Sequence, residues 1–247
     1  MSSFQFSYVG PRLIPFFKTV IIYYVAWLSI PSALTAAIKC LPILCLIPFV
    51  AAQGLSLRDE HKYQRRVFIG LVFSCIGDAL LVWGHIHFIT AMAAFGIAHL
   101  AYIRAFGFFS WKVVDCLKGI PFFGCLLLAL YILYPGLKGI LGPCVAVYIF
   151  LVLFMAWRAF TRIDIMENEW TWTNLFACFG ATLFVISDFL IGLNKFRIPV
   201  PYERFFVMTT YYAAQVFIAM SAVNTKDMVI KLRFSKKKPL QEKVHLE

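Results

Sequence analysis

The stretch GLVFSCIGDALLVW (residues 70–83) decides how the chain is read. It has the composition of a membrane helix except at Asp78. An ionised Asp at the bilayer centre costs roughly 2.5–3.5 kcal/mol even on the lenient insertion scale. The same feature recurs in GATLFVISDFLIGL (residues 180–193), at Asp188. A single intramembrane Asp is sometimes only a hydrogen-bonded lock between helices. Two in matching contexts point to function, because intramembrane acids line substrate or ion paths by default.

The rest of the chain agrees with a lipid setting. Of 247 residues, 62% are hydrophobic and the mean hydropathy is +0.81, against about 45–50% apolar residues in a soluble domain. Apolar runs predict an all-α, polytopic bundle of eight transmembrane helices. The expected spans are 13–30, 33–54, 66–83, 86–106, 119–134, 139–160, 173–193 and 204–225. They form one membrane domain, residues 1–225, followed by a basic cytoplasmic tail, 226–247. No cleavable signal is read in Met1–Tyr8, so the first run is expected to stay as a signal anchor. The seven cysteines are scattered without a C-x-x-C pair and read as small buried hydrophobes.

The net charge of +11 does not imply nucleic acid, because the basic residues fall in short loops and the tail. Eighteen of the 23 Lys and Arg lie on one side of the predicted spans, which puts both termini in the cytoplasm. Aligning Asp78 with Asp188 also aligns Gly70 with Gly180, Ile76 with Ile186, Gly77 with Ser187 and Leu80 with Leu190. A four-span period of this kind gives two parallel four-helix repeats.

Small residues surround both acids: Gly70, Ser74 and Gly77 near Asp78, and Gly180 and Ser187 near Asp188. They let a neighbouring helix come close and turn the carboxylates into the bundle. Lys39, Asn194 and Lys195 fall at the same outer depth. His99 and Tyr102 lie one turn apart on span four, and Tyr211, Tyr212 and Gln215 share part of a face on span eight. These eight are the candidate substrate-binding residues. Taken singly, each tyrosine reads as packing or interfacial belt. His85 and His87 sit at an outer turn, and only His99 is deep, so three convergent imidazoles are not available for a metal. No metal and no cofactor are expected. There is no G-x-S-x-G and no Gly-rich phosphate loop.

The sequence resembles the lysoplasmalogenase family of YhhN-like integral membrane proteins, in its animal form. The resemblance rests on GPRLIPFFK (10–18), IKCLPILCL (38–46), GLVFSCIGDALLVW (70–83), FGIAHLAYIRAF (95–106), ISDFLIGLNKFRIPVPY (186–202) and TTYYAAQVFIAMSAV (209–223). It implies an eight-helix hydrolase of the endoplasmic reticulum membrane. Such an enzyme cleaves the vinyl ether of lysoplasmalogens to a fatty aldehyde and glycerophosphocholine or glycerophosphoethanolamine, with Asp78 and Asp188 as its carboxylates. The implied partners are the lipid substrate and the bilayer, with a homodimer left open.

The chemistry suits two acids. A vinyl ether resists nucleophiles and opens when its β-carbon is protonated, giving an oxocarbenium ion that water traps. One carboxylic acid and one carboxylate serve this, as in glycosidases, and two close, desolvated carboxyls avoid carrying two charges. Lys39 or Lys195 is suited to the phosphate. Spans three and seven are therefore expected to be neighbours, with both acids on one pocket and their carboxyls about 5–9 Å apart. The main alternative is a proton- or cation-coupled transporter that uses the acids as a relay. Transporters break helices at corresponding points of their repeats. Here Pro42 and Pro48 fall in span two, whereas span six has only Pro143, near its start. A non-enzymatic lipid sensor or scaffold, a third class, needs no acid pair.

Overall fold

A computed structural model describes residues 3–108, 113–163 and 171–223. Eight α-helices run through them: α1 (Ser3–Ala26), α2 (Ala33–Ala51), α3 (Lys62–Val82), α4 (Gly84–Phe106), α5 (Val113–Leu133), α6 (Leu141–Thr161), α7 (Trp172–Phe196) and α8 (Glu203–Ser221). The basic tail with its KLRFSKKK run, and most of the polar loop before Trp172, lie outside the described residues. Six of the helices, α1, α2 and α4 to α7, are long and apolar enough to cross a membrane. The other two match them in length. However, α3 opens with Lys62, Arg65 and Arg66 and carries Asp78, and α8 opens with Glu203 and Arg204 and carries Gln215.

Helix ends follow local chemistry. Ser32 caps α2 by accepting from the Thr35 amide, and Thr171 caps α7 by accepting from the Asn174 amide. The helix α1 begins ten residues before the apolar run does, because backbone hydrogen bonding continues where lipid contact is not required. Pro42 and Pro48 do not interrupt α2. Each removes one ladder bond, which neighbouring helices tolerate within a packed bundle. The helix α7 continues to Phe196, so Lys195 is on the helix and not in a following loop.

The order of packing repeats. In the first half α1 packs on α2, α2 on α3 and α3 on α4; in the second, α5 on α6, α6 on α7 and α7 on α8. The halves meet through α4 on α6 and through α2 on α8, which is the same contact with the halves exchanged. The tightest pairs, α3 with α4 and α7 with α8, use the small residues. A Cβ added at Gly70 would lie 2.2 Å from the Tyr102 ring, and one at Gly77 would lie 2.7 Å from the Phe95 ring. At Gly180 it would meet the Ala214 carbonyl at 2.9 Å and Ile218 at 2.7 Å. Because a backbone oxygen cannot swing away, Gly180→Ala is expected to destabilise by about 1–3 kcal/mol. Melting of the purified protein in detergent checks this; an unchanged midpoint would mean that α7 and α8 can part freely.

Candidate functional site

Asp78 sits in the last third of α3, 2% exposed. Its Oδ1 faces Lys39 Nζ of α2 at 3.4 Å, and its Oδ2 accepts a hydrogen bond from the Tyr211 hydroxyl of α8. Lys39 is itself largely buried, and the Tyr212 hydroxyl donates to its backbone carbonyl at 2.8 Å. A buried carboxylate needs a partner charge and hydrogen bonds to be tolerated, and α2 and α8 supply both.

Asp188 holds the equivalent place on α7. Its Oδ2 accepts from the Tyr148 hydroxyl of α6 at 2.7 Å and lies 3.3 Å from His99 Nε2 of α4. Tyr148 and His99 also meet each other, at 3.2 Å. The two clusters are related by the repeat: α2 and α8 clasp Asp78 as α6 and α4 clasp Asp188. One cluster uses an ammonium and a phenol, the other an imidazole and a phenol.

Direct packing of spans three and seven, with both acids on one pocket, is not what the structure has. The helices α4 and α8 come between them. The rings of Phe95 (α4), Phe184 (α7) and Tyr211 (α8) pack edge to face, with centroids 5.5–6.3 Å apart. The helix periodicity turned both acids inward correctly, but bulky rings from α4 and α8 fill the space on which α3 and α7 would otherwise meet. Asp188 nonetheless remains within electrostatic reach of Asp78.

Two cavities flank the acids. The first, of about 320 Å³, is almost wholly apolar and lies among α4 to α7. Asp188 and Tyr148 are on its wall with residues such as Met92, Ile149 and Phe189, and Asp78 is not. The second, of about 380 Å³, is the more polar of the two, with Lys39, Asn194, Lys195, Glu203 and Arg204 among its lining. The two share Leu81, Phe88 and Ile191 as a common wall. Leu81 follows Asp78 by three residues and Ile191 follows Asp188 by three, so each acid lies one helical turn inward of that wall.

The other candidate residues divide. Lys39 and Tyr211 hold Asp78, and His99 holds Asp188. Asn194 and Lys195 line the polar cavity, where Asn194 Oδ1 also accepts from the Val200 amide at 2.9 Å. Tyr102 and Gln215 hydrogen-bond each other at 2.9 Å in the core and line neither cavity. Tyr212 likewise holds backbone only. The Tyr102 hydroxyl donates to Gln215 Oε1, while Gln215 Nε2 is buried with no hydrogen-bond partner among the described residues. Tyr148 went unseen because it stands in the apolar run AVYIFLVLF. Arg204 counts in the sequence only as one of the basic residues outside the cytoplasmic side, and Glu203 carries no mark there. Among the described residues, no group of three or more His, Cys, Asp and Glu side chains is placed to hold a metal ion.

Loss of the phenol is expected to weaken the Asp188 cluster specifically. Hydrogen bonds to charged groups contribute about 1.5–3 kcal/mol, so Tyr148→Phe should lower kcat for any reaction that uses the Asp188 carboxyl by roughly tenfold or more. KM should be little changed, since Tyr148 holds the acid and not the substrate. A change in KM alone would mean that Tyr148 acts through the cavity wall and not through its hold on Asp188.

The model of the YhhN family matches residues 34–222. The chain is 44% identical over 232 residues to lysoplasmalogenase TMEM86A of Bos taurus, covering 93% of this chain and 95% of that one. It is 42% identical to the Homo sapiens protein of the same name, covering 92% and 95%. Against lysoplasmalogenase TMEM86B of Sus scrofa the identity is 36%, over 89% of each chain. No solved structure matches the chain.

Proposed function

The chain belongs to the YhhN family, and from that membership we infer that it is a lysoplasmalogenase, a hydrolase acting on the vinyl ether of lysoplasmalogens. It is an integral, multi-pass membrane protein. With α3 and α8 buried against their neighbours, all eight helices are taken to span, with both termini cytoplasmic on the charge distribution. The endoplasmic reticulum is the expected membrane, on the family resemblance.

The observation that carries the mechanism is a carboxyl on the wall of an apolar cavity. Asp188, 10% exposed, meets that cavity while Tyr148 and His99 hold its Oδ2. The alkenyl chain is assigned to the cavity, where its burial is favourable. Asp188 protonates the β-carbon: the C=C electrons form the new C–H bond, and the positive charge is shared by the adjacent carbon and the ether oxygen. The Asp188 carboxylate left behind stabilises that cation and takes a proton from the water that adds, while Asp78, off the cavity wall and paired with Lys39, acts on the site only through its charge. As the hemiacetal collapses, Asp188 gives that proton to the departing glycerol oxygen and recovers one from the hemiacetal hydroxyl. Aldehyde and glycerophosphodiester leave, and the Asp188 carboxyl is restored.

A proton-coupled transporter has less support, because α2 runs as one helix through both prolines. The test is incubation of purified protein with alkenyl and with alkyl lysophospholipids. Aldehyde should appear from the alkenyl lipid only. No aldehyde from either, with the protein folded, would defeat the hydrolase assignment.

A further inference from the structure

Resting on the lysoplasmalogenase reading, we propose that the polar cavity is a phosphodiester headgroup subsite in which Lys195 and Arg204 bind the phosphate and Glu203 takes the headgroup ammonium. Three features carry this.

The first is spacing. Lys195 follows Asp188 by seven residues on α7. Seven residues return to nearly the same helix face and rise about 10 Å. In an alkenyl glycerophospholipid seven bonds separate phosphorus from the β-carbon that must be protonated. Three covalent bonds carry a chain 3.8 Å between successive Cα atoms, so seven reach about 9 Å when extended. A phosphate at Lys195 thus places the reacting carbon beside Asp188.

The second is continuity. Leu81, Phe88 and Ile191 face both cavities, and Ile191 lies on α7 between Asp188 and Lys195. A molecule with a charged end and an apolar end fits across that wall, whereas a free anion occupies only one side.

The third is charge placement. Lys39 is committed to Asp78, which leaves Lys195 and Arg204 as the cations suited to a ligand. The Arg204 guanidinium is pre-positioned, with Nε donating to the Tyr23 hydroxyl at 3.0 Å and the group lying 4.6 Å over the Trp27 ring. Nε is used there, and the outer nitrogens retain the forked geometry that matches a phosphate. Lys195 lies 4.3 Å over the Phe88 ring, on the shared wall. Glu203 is half-buried on the same cavity, close to Arg204 and Lys39. A primary ammonium can donate hydrogen bonds to its carboxylate, and a trimethylammonium cannot. Glu203 therefore favours ethanolamine over choline.

The experiment compares wild type with Lys195→Gln, Arg204→Gln and Glu203→Gln, each first shown to melt as wild type does. The substrates are alkenyl glycerophosphoethanolamine, alkenyl glycerophosphocholine and phosphate-free alkenyl glycerol. For Lys195→Gln and Arg204→Gln, KM for the two phospholipids should rise roughly tenfold or more, collapsing the preference over alkenyl glycerol. For Glu203→Gln the ethanolamine-to-choline preference should shrink. Equal KM changes for all three lipids, or a loss confined to kcat, would overturn the assignment. Binding of the non-hydrolysable alkyl glycerophosphoethanolamine, read by thermal shift, separates this proposal from the one it rests on. Lys195-dependent binding without aldehyde release would remove the hydrolase assignment and keep the subsite. Aldehyde release with Lys195-independent binding would do the reverse. Inorganic phosphate should protect far less than the lysolipid; equal protection would assign the cavity to a free anion and overturn the lipid subsite.

Discussion

Asp188→Asn is expected to release aldehyde about 10²–10⁴-fold more slowly than wild type, the usual contribution of a general acid. An amide cannot donate a proton to carbon, and Asp188 is the carboxyl that meets the apolar cavity. The substitution is nearly isosteric, and the amide oxygen can still accept from Tyr148, so the fold should persist. Substrate binding should persist too, placing the loss in kcat and leaving KM close to wild type. Asp78→Asn should also be slower, because it removes the buried charge that acts on Asp188 across the ring layer. The measurement is single-turnover aldehyde release by folded protein. Near-normal turnover of Asp188→Asn would end its role as the acid, whatever the family membership. Normal turnover of Asp78→Asn alone would leave Asp78 a structural charge with no part in the reaction.

Lys39→Met should give the largest loss of stability. Lys39 Nζ lies 3.4 Å from Asp78 Oδ1, and the two side chains are 12% and 2% exposed. Removing one member of a buried ion pair leaves an uncompensated charge and typically costs about 3–5 kcal/mol. The methionine retains most of the packing volume, so the loss reports the charge and not a cavity. The double variant Lys39→Met with Asp78→Asn removes both charges and should recover most of that stability. It should still release aldehyde slowly, because the Asp78 carboxylate is gone. Melting midpoints of the three variants and wild type in detergent form a double-mutant cycle. Additive losses would show that Lys39 and Asp78 do not interact, contrary to their geometry.

Much was legible in the amino-acid sequence because the relevant information is local. Apolar run length set the helices, and the positions of α2 and α4 were read within three residues at either end. Helical periodicity turned Asp78 and Asp188 inward, and Gly70, Gly77 and Gly180 marked the faces where α3 meets α4 and α7 meets α8. Chain alignment alone suggested the repeat that the packing order displays.

Only the tertiary structure decided what each acid touches. Tyr211 is 133 residues from Asp78, and Tyr148 is 40 from Asp188. No periodicity within one helix specifies which other helix will present a hydroxyl to it. The same holds for the expected contact of α3 with α7, which the rings of Phe95, Phe184 and Tyr211 displaced. A tyrosine in an apolar run looks like packing until a carboxylate is found at its tip, so Tyr148 carried no local mark. Glu203 and Arg204 carry no mark in the sequence beyond their charge. They line one cavity only because α2, α7 and α8 close around it. Spacing along a helix is a property of the chain; the meeting of side chains from different helices depends on how all the helices pack at once.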